Sequence, residues 1–227
     1  MFTGFTDETV DFMWGIRFNN EKTWFEEHKK TYLAHLQTPM RELCGEMYEF
    51  LQEKLPDITL MGKTSRIYRD ARRLFGRGPY KDHLWFSVSR PVEEAWTDRP
   101  SFWFELTPDG WSYGMGYWVS KPVTMAKLRA RIDRDPDTMT ALTLALEEQE
   151  EFSLDTSDYK KPRSQAPSEL LEPWYRAKYF SIGHEEKLTE ELFSRDIVER
   201  LKAGFEFLLP YFTYFDTLSG DPDPREQ

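Results

Sequence analysis

Apolar residues recur at helical spacing through the first third of the chain. Rings stand at every fourth position from Trp24, and Asn19 or Asn20 can cap a helix that begins at Glu21. A second helix is predicted over residues 40–55, between two prolines. Its apolar stripe consists of Met40, Leu43, Cys44, Met47, Phe50, Leu51 and Leu55.

The middle third changes to a period of two, which is typical of strands. In HLWFSVSR, Leu84, Phe86 and Val88 alternate with a second set of side chains, so a strand with one buried face is predicted. Residues 101–119 read SFWFELTPDGWSYGMGYWV, and their two aromatic-rich runs meet at Pro-Asp-Gly, which suits a tight turn. This pattern predicts an antiparallel hairpin. The Gly-Met-Gly inside its second strand indicates close packing rather than dinucleotide binding.

Helical spacing returns after the hairpin, in two short helices separated by Asp135-Pro136. Residues 153–173 are polar and contain three prolines, so a long irregular connection is predicted there. A last helix is predicted from about Ser194, and residues 219–227 are expected to fray. The simplest interpretation is a single α+β domain over residues 1–218. In it, helices from the N- and C-terminal parts of the chain flank an antiparallel sheet.

The composition narrows the class of protein. Only 39% of residues are apolar, but 16% are aromatic, and their large buried area supports a folded core. The net charge of −10 argues against broad nucleic-acid binding, because the field repels phosphate. One cysteine, Cys44, fits a reducing compartment. The N-terminus lacks the pattern of a secretory signal, and the most apolar stretch, at 205–215, is too short to span a bilayer. We therefore expect a cytoplasmic protein that does not bind membranes.

One segment departs from this acidic background. Residues 63–82, here called the basic strip, contain seven basic residues and only two acidic ones. If residues 66–72 are extended, Asp70 lies between Arg66 and Arg72 on one face and can orient their guanidinium groups. If they are helical, Arg66, Arg69, Asp70 and Arg73 cluster instead. Either geometry suits a carboxylate or phosphate ligand, because guanidinium groups bind both with two parallel hydrogen bonds.

The rest of the strip adds groups of the same chemistry. Gly76 and Gly78 allow backbone N–H groups to approach an anion, and Tyr80 and Lys81 add a phenol and an ammonium group. The long connection carries a second basic group, which can close over a bound anion if the loop folds over the sheet. The candidate ligand-binding residues are Arg66, Arg69, Asp70, Arg72, Tyr80 and Lys81, with Lys160 and Lys161 from the long connection.

The strip also carries a resemblance. Arg66-x-x-Arg69-Asp70-x-Arg72 followed by Pro79-Tyr80-Lys81 is similar to the signature of the bacterial family catalogued as domain of unknown function 2461. Asn19-Asn20 with Trp24-Phe25, the hairpin and the overall length also resemble that family. The resemblance implies an intracellular α+β protein and no particular activity.

Three positions differ from the pattern of that family. Arg73 stands where the family typically has Phe, and Gly76 and Arg77 stand where it has an Asp/Asn-Lys pair. Gly76 removes a carboxylate that could otherwise serve as a general base or cation ligand. Arg77 keeps the positive charge of the lysine but changes its shape.

Two classes of function follow from the strip. In the first, it forms a pocket for an anionic small molecule, and Tyr80 or Lys81 moves a proton if the protein is an enzyme. In the second, it belongs to a non-catalytic interaction module that docks an acidic protein segment or a nucleic-acid end. A third, purely structural interpretation places the arginines in internal carboxylate networks. The four histidines are scattered, so no metal site and no cofactor are predicted, and no specific protein partner is indicated.

Overall fold

The computed structural model describes residues 1–91, 99–160 and 165–226. The protein has an α+β fold with a six-stranded antiparallel sheet, which confirms the predicted class. The strands follow the order β1-β2-β3-β4-β6-β5 across the sheet. They are β1 (Met61–Thr64), β2 (Leu84–Ser89), β3 (Ser101–Leu106), β4 (Gly110–Gly116), β5 (Ser153–Asp158) and β6 (Ala177–Lys187).

The α-helices are α1 (Asp7–Phe18), α2 (Lys22–Thr31), α3 (Thr38–Lys54), α4 (Pro122–Arg134), α5 (Pro136–Glu147), α6 (Glu172–Arg176) and α7 (Asp196–Asp216). The chain divides into two compact units. The first comprises Met1–Val88, Trp103–Tyr113 and Glu185–Ala203, and the second comprises Ser89–Phe102, Gly114–His184 and Gly204–Gln227. The single domain over residues 1–218 and the frayed tail stay predictions.

The capping prediction for α2 is wrong. Its N-cap residue is Glu21, without a side-chain cap, and Asn19 instead ends α1. Asn20 uses its carboxamide elsewhere, on the backbone of Tyr80.

The predicted break between the first two helices is also absent. Helix α2 continues through a π-helical segment, Tyr32–Gln37, directly into α3. Pro39 therefore lies within a continuous helical run. A proline has no N–H group to donate within the helix. The π-helical segment before it is also tied to α1, because the Thr9 hydroxyl donates to the His35 carbonyl (Oγ1–O 2.5 Å).

The strand and hairpin predictions are confirmed for β2, β3 and β4. The hairpin turn is held by Thr107, whose N–H donates to the Gly110 carbonyl (2.9 Å) and whose hydroxyl bonds the backbone of the turn. In the first unit, Phe104 of β3 stacks between Phe86 of β2 and Phe5. These three rings are buried and form part of the apolar core of that unit.

Three strands, β1, β5 and β6, form where the sequence predicted none. The irregular connection expected over 153–173 is wrong at its start, because β5 pairs with β6 antiparallel from Ser153↔Gly183 to Asp158↔Ala177. The residues of β5, SLDTSD, are polar and lie at the edge of the sheet, so they carry no apolar period to reveal them.

The predicted helices α4, α5 and α7 are confirmed, and contacts within the second unit explain the paired glycines of β4. A Cβ atom on Gly114 would lie 2.1 Å from the carbonyl oxygen of Ile182, and one on Gly116 would lie 2.6 Å from that of Phe180. Both glycines therefore serve close backbone packing against β6, as predicted. Among the described helices, none has the length and apolar character that crossing a bilayer requires.

Candidate functional site

The basic strip folds back on itself and brings its two ends together. The Arg69 N–H donates to the Pro79 carbonyl (2.8 Å), and the Lys81 N–H donates to the Ile67 carbonyl (2.7 Å). Between them, Tyr68 and Tyr80 form an isolated antiparallel bridge. Residues 66–72 are therefore neither an extended strand nor a full helix, the two alternatives that the sequence left open, and a short 3-10 turn, Ala71–Arg73, follows the bridge. Arg69 and Lys81 become neighbours through this closure, although they are twelve positions apart in sequence.

Asn20 fastens the closed strip to the helical layer. Its Oδ1 accepts from the Tyr80 N–H (2.9 Å), and its Nδ2 donates to the Tyr80 carbonyl (3.0 Å). Gly78 leaves room for this contact, because a Cβ atom there would lie 2.2 Å from Asn20 Oδ1. The structure therefore gives Gly78 a packing role, distinct from the anion approach that the sequence suggested.

The ring of Tyr80 belongs to the core. It is 3% exposed and stacks on Phe25 at 4.3 Å, with Tyr68 at 5.3 Å. Burial raises the pKa of Tyr80, and so does the neighbouring Tyr68. Tyr80 contributes to the site mainly through its carbonyl oxygen, which also accepts from Arg69 Nε (2.8 Å).

Arg69 is the most buried arginine of the strip whose side chain is described. Its side chain is 17% exposed, and its nearest carboxylate oxygen, on Asp82, lies 3.8 Å from Nη2. Burial and repulsion from Arg77 lower the pKa of Arg69, and the attraction of Asp82 only partly opposes them. Among the described residues, neither Nη atom of Arg69 has a hydrogen-bond acceptor closer than this oxygen of Asp82. The guanidinium is therefore fixed at one edge and has donors left for a ligand.

Lys81 is half-buried beside Trp85, with Nζ 5.8 Å from the ring centroid. Within the described part of the chain, no carboxylate lies within ion-pair distance of this ammonium group. Burial, together with repulsion from Arg69 and Arg66, lowers the pKa of Lys81 to about 8, against the attraction of Glu105. A lysine with a pKa of about 8 gains and loses its proton near physiological pH, as catalytic lysines do.

Asp82 joins the strip to groups that the sequence did not single out. It accepts from Arg17 Nε (2.6 Å) and contacts His83 Nδ1 (3.0 Å). Burial raises the pKa of Asp82, but the bonds from Arg17 and His83 outweigh it and hold the pKa below its usual range. The other nitrogen of His83, Nε2, lies 3.7 Å from Glu105 Oε1. The imidazole therefore stands between two carboxyl groups.

Glu105 is the second ionisable group that faces Lys81. Burial raises the pKa of Glu105, although His83 and Lys81 attract its charge. Its carboxyl group also lines a cavity of about 420 Å³ that carries Asp109, Glu185 and Glu186. Because that lining is acidic, the cavity itself disfavours an anion.

Comparison with known proteins identifies the family of this chain. The family described as "Conserved hypothetical protein (DUF2461)" matches residues 8–214. The chain belongs to this DUF2461 family. The match includes Arg17, Asn20 and the whole basic strip, and it confirms the resemblance drawn from the strip and the hairpin. No curated protein matches the chain.

The other predicted residues of this DUF2461 chain are more exposed than Arg69 and Lys81, apart from Tyr80 and from Lys161, which is not described. Asp70 pairs with Arg72 as predicted, through two side-chain bonds of 3.0 and 2.8 Å, but as the cap of the 3-10 turn rather than as part of a strand face. The Arg72 side chain is 88% exposed, and a pair this exposed contributes little to stability. Arg66 is exposed, Lys160 follows β5 and is exposed, and Lys161 lies outside the described residues.

In the part of the chain that the structure describes, the histidines and the cysteine are not grouped with other side chains that could bind a metal ion. Among residues 1–91, 99–160 and 165–226, no group of three or more His, Cys, Asp or Glu side chains could hold a metal ion. His28 stacks on Trp24 at 3.9 Å, and burial raises the pKa of Cys44 to about 11. A thiol with that pKa is protonated at neutral pH and is a poor nucleophile.

The low pKa of Lys81 predicts a pH-dependent gain of stability when the lysine is removed. A lysine whose folded pKa lies below its unfolded value of about 10.4 opposes folding at pH 7, and the penalty fades as the pH rises from about 8 to 10.4. Lys81→Met is therefore expected to raise the free energy of unfolding at pH 7 by on the order of 1 kcal/mol, after screening by solvent. Urea denaturation between pH 7 and pH 10.5 measures the gain and its decline.

Lys29→Met is the matched control for this measurement, because the Lys29 side chain is 47% exposed and pairs with Glu26 on the surface of α2. It is expected to give no comparable pH-dependent gain. A Lys81→Met variant that is no more stable than the wild type at pH 7 would contradict the prediction.

Proposed function

We propose that this DUF2461 protein binds a small anionic molecule, bearing a phosphate or carboxylate group, at Arg66, Arg69 and Lys81. The observation that carries the proposal is a set of neighbouring cations whose charges are not neutralised. Arg69 and Arg66 repel the charge of Lys81, and Arg77 repels that of Arg69. Asp82 is already engaged by Arg17 and His83 at 2.6 and 3.0 Å, so at 3.8 Å it only partly compensates Arg69.

Two of these cations, Arg69 and Lys81, are also partly buried. Charges of like sign that lie near one another away from water oppose folding, and such arrangements cluster at functional sites. An anion that accepts from the free Nη donors of Arg69 and faces the Lys81 ammonium would relieve the repulsion. Its binding energy would then come from charges that the fold itself already holds in place.

A lysine substitution separates a specific site from general attraction. Arg69→Lys keeps the charge but loses the planar guanidinium group, so we expect it to remove most of the stabilisation by phosphate, sulfate or citrate. For the wild type, an anion at ten times its Kd should add about 1.4 kcal/mol, or about 3–6 °C in Tm. A thermal-shift series at constant ionic strength measures the change in Tm of each variant against its own anion-free value.

Arg225→Lys provides the matched control. Arg225 pairs with Asp223 two residues earlier, in the same local arrangement as Arg72 with Asp70, but outside the strip. It should respond to anions like the wild type. Equal anion responses from the wild type, Arg69→Lys and Arg225→Lys would overturn the proposed site.

The alternative function, docking of an acidic protein segment, has one observation of its own. Phe75 is 82% exposed at the tip of the strip and has a positive φ of 46°, a conformation that is strained for a phenylalanine. Exposed Arg72 and Arg77 flank it. Phe75→Ser should weaken binding of an acidic, aromatic-rich peptide if this tip docks a protein. The same change should leave the response to phosphate unaltered if Arg69 and Lys81 form the site.

A further inference from the structure

We propose that Lys81 is a nucleophilic amine that condenses with the carbonyl group of a 2-oxo acid, whose carboxylate Arg69 and Arg66 hold. This inference rests on the proposed anion site and names its substrate class. It differs from anion binding alone because it requires a covalent imine at one defined nitrogen atom.

The placement of Lys81 fits a nucleophile better than a structural ion pair. Its backbone is fixed by the bond to the Ile67 carbonyl, and its side chain is half-buried against Trp85. Within the described residues no carboxylate pairs with its nitrogen, whereas Arg17 is paired at 2.6 Å only a few side chains away. A buried, unpaired amine beside other cations loses its proton readily, and the neutral amine is the nucleophile.

Arg69 provides the anchor for the carboxylate. Its Nε is bonded to the carbonyl of Tyr80, the residue before Lys81, and Asn20 holds that same carbonyl from the other side. The guanidinium and the amine therefore share one rigid piece of backbone. In a 2-oxo acid the carbonyl carbon is bonded directly to the carboxylate carbon. Such a ligand can present its carbonyl to a lysine while an adjacent arginine holds the acid.

Glu105 completes the proton balance. The lone pair of Lys81 Nζ forms a bond to the carbonyl carbon, and the carbonyl oxygen takes a proton from the Glu105 carboxyl group. Glu105 then accepts a proton from the nitrogen and returns it to the hydroxyl, which leaves as water while the C=N bond forms. These steps give a protonated imine and water and leave Glu105 as the carboxylate. Transfer of the remaining imine proton to Glu105 gives the neutral imine and restores the acid. Burial raises the pKa of Glu105, and its Oε1 lies 3.7 Å from His83 Nε2.

Reductive trapping tests the proposal directly. Incubation of the whole protein with pyruvate and cyanoborohydride at pH 8 should convert an imine at Lys81 into a stable carboxyethyl amine. Mass spectrometry of the intact chain and of its peptides locates the adduct. We expect one predominant adduct, at Lys81, formed at least about tenfold faster than at any other lysine.

Three comparisons make the result decisive. Lys81→Met should abolish the predominant adduct, and Lys29→Met should leave it unchanged. Arg69→Gln, which adds no new lysine, should slow it about tenfold, because the anchor for the carboxylate is lost. Acetone, which has the ketone but no carboxylate, should label Lys81 far more slowly than pyruvate does.

Two outcomes would overturn the inference. Adducts spread evenly over the surface lysines would show that Lys81 is not a selective nucleophile. Equal labelling by acetone and pyruvate would show that no carboxylate anchor operates. If the anion series still stabilises the wild type and not Arg69→Lys, then the binding site stands and only the imine chemistry fails; if neither response is seen, both proposals fail.

Discussion

Asn20→Ala is expected to lower the free energy of unfolding by about 2–4 kcal/mol, because the Tyr80 N–H loses its side-chain acceptor and the Tyr80 carbonyl loses a donor in a part-buried region. The stabilisation of this variant by phosphate should also decrease, because Arg69 is bonded to the same Tyr80 carbonyl. Urea denaturation and the phosphate thermal shift, measured on the same variant, check both parts. Asn19→Ala is the adjacent control, because the carboxamide of Asn19 bonds only the exposed carbonyl of Gly15.

Gly78→Ala should reproduce the same defect from the opposite side. Its Cβ would lie 2.2 Å from Asn20 Oδ1, so the carboxamide must move away from Tyr80. Both changes break one contact, and the cost of Asn20→Ala combined with Gly78→Ala should therefore be well below the sum of the single costs. Additive costs, or an Asn20→Ala variant as stable as Asn19→Ala, would refute a shared contact.

Asp82→Asn is expected to cost about 2–4 kcal/mol at pH 7, because removal of this charge leaves Arg17 and Arg69 facing one another in a partly buried place. The pKa of Asp82 is held below its usual value by Arg17 and His83, against the effect of burial. The Asp82 carboxylate therefore makes its full contribution to the free energy of unfolding at pH values above its unfolded pKa of about 4. This contribution is lost as the pH falls through the lower pKa of the folded state. Urea denaturation from pH 7 to pH 3 should show a constant difference from the wild type above about pH 5 that shrinks below about pH 4.

Asp109→Asn is the matched control for this change. Asp109 also pairs with Arg17, at 2.7 Å, but its side chain is 61% exposed, so its loss should cost at most about 1 kcal/mol. If the two substitutions cost the same, or if the Asp82→Asn difference is independent of pH, the central role of Asp82 is wrong.

The two cations at the centre of the proposed site act against the stability that these contacts provide. Arg69 and Lys81 repel each other, while Asn20 and Asp82 hold their surroundings in place. A fold that retains repelling charges on a well-fastened backbone is typical of binding and catalytic sites, where stability is given up for function. The Lys81→Met prediction tests this balance without any knowledge of the ligand.

Local patterns of the sequence determined much of the fold. The α+β class, the strand β2, the β3–β4 hairpin and the helices of the C-terminal half all follow from apolar period and turn chemistry. The basic strip was also evident from the sequence, because a cluster of like charges can be identified from the order of the residues alone. These features depend on neighbours within a few positions, which the sequence displays directly.

The tertiary structure alone decided which residues surround Arg69 and Lys81 in the proposed site. Arg17, Asn20 and Glu105 reach it from α1, the following turn and β3, and no local period links them to Lys81. Likewise, the Thr9 hydroxyl of α1 meets the carbonyl of His35 in the π-helical segment that joins α2 to α3. In each case the deciding contact joins residues far apart in sequence, and its energy exists only once packing has brought them together. The sequence determined which charges this protein gathers, and the fold determined which of them remain unneutralised.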